Sequence, residues 1–73
     1  MSPEYAKAAI RAHATNYAKR VIAKQINDSA VEGLLRADAE AFADLPEIAD
    51  AVFACGLDSY RWLRANSTVE KPK

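Results

Sequence analysis

The segment PEYAKAAIRAHATNYAKRVIAKQI, residues 3–26, decides the fold class. Ala6, Ile10, Ala14, Tyr17, Ala18, Val21 and Ile22 recur at i, i+4 and i+7, which is one face of an α-helix. Pro3 suits a first helical turn, where its missing N–H is no loss. Alanine, the best helix former, fills most of the remaining positions. The spacing predicts a long first helix ending near Ile26, with Asn27 and Asp28 as the stop.

The same signals continue downstream. Ser29 followed by Glu32 has the form of a capping box, with Ser29 as N-cap. It opens a predicted second helix over 30–43, with Val31, Leu34, Leu35, Ala39 and Phe42 on one stripe. Asp44, Leu45, Pro46 and Glu47 repeat the cap pattern and open a third helix over 45–55. Ile48, Val52 and Cys55 face inward on it. Gly56 reads as the residue that closes it. Asp58 then caps a fourth, short helix over 59–65, closed by Asn66. The expected architecture is an all-α bundle of four helices, a long one packed across a compact unit of three. Residues 1–66 form one domain, and 67–73 read as a loose tail.

Length and composition narrow the function. The chain has 73 residues and is 51% hydrophobic, but 16 of those residues are alanine. A core so thin leaves a small stability margin, and a partner or a second copy would help it. No apolar run reaches the roughly 18 residues a membrane span needs. No charged-then-apolar leader precedes the first helix. One cysteine and one histidine exclude an internal disulfide and a Cys-based zinc site. Two glycines exclude a glycine-rich phosphate loop. The reading is a non-enzyme with no metal and no cofactor.

The charges cancel overall but are segregated. Residues 1–27 carry a net of +4, residues 28–58 a net of −7 and residues 59–73 a net of +3. Blocks of one sign steer partners even in a neutral chain. The acidic middle would meet a basic surface or imitate a nucleic-acid backbone.

A few side chains stand out. Asp38 falls inside the apolar stripe of the second helix and needs a partner or a rim position. His13 or an arginine is the expected partner. His13 and Cys55 otherwise read as packed side chains. The run Tyr60-Arg61-Trp62-Leu63-Arg64 is the most informative. Trp, Tyr and Arg dominate binding hot spots. On a helix Trp62 points about 160° from Tyr60, so both cannot enter one small core. Trp62 either packs under the first helix or forms a recognition surface. The candidate partner-binding residues are Lys7, Arg11, Lys19, Arg20, Tyr60, Arg61, Trp62 and Arg64.

Two motifs are look-alikes. Gly56-Leu57-Asp58-Ser59 resembles the carrier-protein signature, but only 14 residues follow Ser59, too few for that fold's second half. Residues 46–64 resemble a helix-turn-helix of the kind found in phage terminase small subunits and transposases. Here the second helix is about a turn short and the first is acidic, which opposes phosphate contact. Over its full length the chain resembles small bacteriophage proteins that bind host RNA polymerase. Shortness, alanine-rich helices, segregated charge and the basic aromatic run Tyr60–Arg64 carry that resemblance. It implies a cytoplasmic regulator of transcription, inhibiting initiation or suppressing termination. Two alternatives stand beside it: a DNA-binding helix-turn-helix protein, and a self-associating homodimer pairing through the a/d-like spacing of Ile10, Ala14, Tyr17 and Val21.

Overall fold

A computed structural model describes residues 3–67, and all of its regular structure is helical. Three helices follow in order: α1 over Pro3–Ile22, α2 over Asp28–Phe42 and α3 over Pro46–Ser67. Residues 68–73, which hold all but the first residue of the expected tail, lie outside the described residues.

The all-α class holds, and the helix count is three rather than four. The expected third and fourth helices are one continuous helix. Gly56 does not close a helix; it is buried in the middle of α3. A Cβ at position 56 would come 2.5 Å from Ile10 Cγ1. Glycine is there so that α1 and α3 can cross closely. Asp58, expected as a cap, is an exposed residue on the same helix. The turn needed by the helix-turn-helix reading of residues 46–64 is absent.

α1 stops at Ile22, four residues before the expected end. Lys24 adopts the left-handed conformation with φ of 63°. The Lys24 amide donates to the Val21 carbonyl at 2.9 Å and the Gln25 amide to the Arg20 carbonyl at 2.8 Å. That pair of bonds is a Schellman closure, built on a lysine where glycine is usual. α2 begins at Asp28, with Asn27 rather than Ser29 as N-cap. The Asn27 backbone is extended and its side chain makes no capping bond. Asp28 instead puts a carboxylate into the first turn, where the helix dipole favours it.

Pairings along the helices give their directions. His13 of α1 meets Phe42 of α2, and Tyr17, four residues on, meets Asp38, four residues back. Asp28 of α2 meets Tyr60 of α3, and Arg36 meets Asp50. α2 is thus antiparallel to both neighbours, and α1 and α3 run parallel. The core draws on all three helices: Ile10 from α1, Val31 and Leu35 from α2, Val52 from α3. Ala6, Ala14, Ala18, Ala39 and Ala49, with Tyr17 and Tyr60, complete it. Such small side chains bring the helices close, and the molecule measures 45 × 19 × 13 Å. The stripe proposed to pair two copies (Ile10, Ala14, Tyr17 and Val21) belongs to this core. Ile22, expected on that stripe, is instead 50% exposed.

Candidate protein-binding surface

The run Tyr60–Arg64 is divided by its helix. Tyr60 is buried, at 6% exposure, and its hydroxyl donates to Asp28 Oδ1. Burial pushes the Tyr60 phenol up from its ordinary pKa, the bond to Asp28 adds to this, and Arg64 opposes it. Arg64 Nε lies 3.9 Å from Asp28 Oδ1. Tyr60 and Arg64 therefore tie α3 to the start of α2. Arg61 is exposed and lines an open cleft of about 340 Å³ with Asp28, Glu32, Leu57 and Arg64. Two acids balance its two arginines, so the cleft favours neither sign of ligand.

Trp62 stands apart. It is 64% exposed, which answers the sequence alternative: it does not pack under α1. The Asn66 side-chain amide donates to its carbonyl at 2.7 Å, fixing the last turns of the helix. Trp62 lies nine residues after Phe53, and nine residues are two and a half turns. The Phe53 ring carries the Arg36 guanidinium of α2 at 4.0 Å. Trp62 therefore points away from α2.

The same arithmetic places the cations of α1. Ile22 lies nine residues after His13, whose ring packs edge-on against Phe42 of α2. Ile22 thus also points away from α2. Arg11 and Lys19 are exposed and fall to either side of Ile22 around the helix, with Lys7 one turn before Arg11. Arg20 departs from this group. It lies seven residues after His13, on the α2 side, close enough to Tyr17 to affect its titration.

Of the eight residues expected from sequence, the fold gathers Trp62, Lys7, Arg11 and Lys19 on the face opposite α2. Arg61 and Arg20 lie on other flanks, and Tyr60 and Arg64 are engaged within the fold. Ile22 belongs to this face and was missed, because its spacing reads as core. No local signal marks it, because Lys24-Gln25-Ile26 carries no clear stop and α1 reads as running on to Ile26.

Asp38 is partnered as expected. His13 Nδ1 lies 3.2 Å from Asp38 Oδ2, and the Tyr17 hydroxyl donates to the same oxygen at 2.5 Å. Burial first, then Asp38, pushes the Tyr17 phenol up to about 12. A phenol so shifted is a proton donor at neutral pH, not a nucleophile. The cluster clips α1 to α2. Among the described residues no group of three His, Cys, Asp or Glu is placed to hold a metal ion, and no helix is long and apolar enough to cross a membrane.

What remains on the surface is the exposed indole of Trp62, the exposed Ile22 and the cations of α1. Among protein families, curated proteins and solved structures, none matches this chain.

Proposed function

We propose that this chain is a small protein-binding regulator without catalytic activity, and that its docking surface is the α1/α3 face centred on Trp62. One observation carries the reading: the only tryptophan of the chain is 64% exposed, toward the C-terminal end of α3. An exposed indole is normally covered when the protein is at work, because burying it is worth several kcal/mol less the cost of ordering. Ile22 extends the apolar patch. Lys7, Arg11 and Lys19 ring it with positive charge, so the partner presents an acidic surface. A contact of about 600–800 Å² per side suffices for a module of this size.

The resemblance to small phage proteins puts bacterial RNA polymerase first among partners, with inhibition of initiation or suppression of termination as the outcome. A pull-down of tagged protein from bacterial lysate, at two salt concentrations and with nuclease, tests it. Polymerase subunits retained after nuclease are expected. Trp62→Ala should weaken capture by about 2 kcal/mol, or about 30-fold in Kd, with helicity unchanged. Equal capture by Trp62→Ala removes Trp62 from the surface. Capture lost on nuclease treatment transfers the reading to nucleic acid.

A further inference from the structure

The cleft between the start of α2 and the later half of α3 lies away from Trp62 and plays no part in the function proposed above. It holds about 340 Å³, within the range of small-molecule sites, about 300–1,000 Å³. Its apolar lining is Val31, Leu57 and the ring of Tyr60. Val31 and Tyr60 are buried and Leu57 is half-buried, so the core fixes this part of the wall. Its charged lining is Asp28 and Glu32 from α2, and Arg61 and Arg64 from α3.

The four charges are not equivalent. Asp28 accepts from the Tyr60 hydroxyl and lies 3.9 Å from Arg64 Nε, so one acid and one guanidinium are engaged in joining α2 to α3. Glu32 and Arg61 are exposed, and among the described residues neither makes a hydrogen bond or an ion pair. They share the cleft without neutralising each other. Ser29 and Glu32 have the spacing of a capping box, yet Asn27 is the N-cap of α2 and both of these side chains line the cleft instead.

A ligand of a single sign is opposed in such a place. A carboxylate alone meets Glu32 and Asp28, and an amine alone meets Arg61 and Arg64, and like-charge contact works against binding. A small molecule that carries both charges finds an opposite charge for each. We infer that the cleft is a binding site for a free α-amino acid with an apolar side chain. The Arg61 guanidinium takes its carboxylate, since the planar fork matches two carboxylate oxygens. Glu32 takes its ammonium, and its side chain covers Leu57 and the edge of Val31. The two anchors belong to different helices, so the bound amino acid adds a second tie between α2 and α3, beside that of Asp28, Tyr60 and Arg64.

An NMR titration of the isotope-labelled full chain tests the inference. Alanine, leucine and phenylalanine are added, each up to about 20 mM, against a Kd of about 1 mM expected for so small a ligand. Backbone amide shifts should saturate with leucine or phenylalanine and cluster in residues 28–32 and 57–64. N-acetylleucine lacks the ammonium and leucinamide lacks the carboxylate. Each should bind weaker by about tenfold or more, the scale of one charge-assisted bond. Glu32→Gln and Arg61→Gln change exposed side chains, and circular dichroism checks that both stay helical. Each variant should lose affinity for leucine by about tenfold or more. The melting temperature of the wild-type chain should rise with added leucine, because only the folded chain holds both anchors in place. Absence of saturable shifts with all three amino acids overturns the inference. So does N-acetylleucine binding as well as leucine, a variant that binds leucine unchanged, or shifts centred on Trp62 rather than on the cleft.

Discussion

At the residue scale, Gly56 and Tyr17 show how single positions set the packing. Gly56 is the point at which α1 comes closest to α3. Ile10 is fully buried and cannot swing aside from a new methyl group. Gly56→Ala gains up to about 1 kcal/mol of helix propensity and meets an overpacking cost of about 1–3 kcal/mol. The steric term wins, and a net loss of about 1–2 kcal/mol is expected in urea unfolding. An unchanged midpoint would mean that the α1/α3 crossing has room to relax. Tyr17 carries a pH signature. Its pKa stands at about 12 in the fold against 10.0 ordinarily, so the folded state holds the proton more tightly. The stability from this group is complete below pH 10 and is lost as the pH rises through about 12. Tyr17→Phe should remove that alkaline loss and the corresponding late-titrating tyrosinate absorbance. A wild-type chain whose stability stays flat over that range contradicts the Asp38 clip.

At the scale of the element, the start and stop of each helix decide the topology. Lys24 occupies the left-handed position of the closure of α1, which costs a non-glycine residue roughly 1 kcal/mol. Lys24→Gly should therefore raise stability by about 0.5–1 kcal/mol, and thermal melting reads it. A drop in melting temperature would show that the lysine side chain repays its strain elsewhere. The helical periods of residues 3–22 and 30–42, and of α3 in two pieces over 46–55 and 59–65, were legible because alanine and regular apolar spacing agree there. The boundaries were less so. Gly56 reads as a stop in isolation, since only a tertiary contact with Ile10 explains a glycine inside a helix. Ser29 reads as a cap, but Asp28 is drawn into the first turn of α2 by Tyr60 and Arg64 from a distant part of the chain. Half of the candidate surface was visible in the same way: Trp62 and the cations of α1 carry their chemistry in their names. That Tyr60 turns inward, Arg64 pairs with Asp28 and Ile22 turns outward depends on the angle at which whole helices meet.

At the scale of the whole molecule, one shared core governs stability. The largest fully buried side chains come from every helix: Ile10, Val31, Leu35 and Val52. Helices of 15 to 22 residues are marginal alone in water, so no one of them stands without the others. A chain of this length has a total stability of about 4–11 kcal/mol. Leu35 is at the centre, fully buried, and it lies within van der Waals reach of the Cβ position of Gly56. Leu35→Ala removes about 2–5 kcal/mol, which is a large part of the whole. The urea midpoint should fall steeply while the dependence on denaturant stays the same, because all three helices unfold together. The alanines that let the helices approach closely leave few large side chains to refill the cavity, so the loss should sit toward the upper end of that range. A shallower dependence on denaturant in the variant would mean that one helix detaches first. α2 would then be the element to watch, since it is the shortest and its clips to the neighbours run through Asp28, Arg36 and Asp38 rather than through close backbone packing.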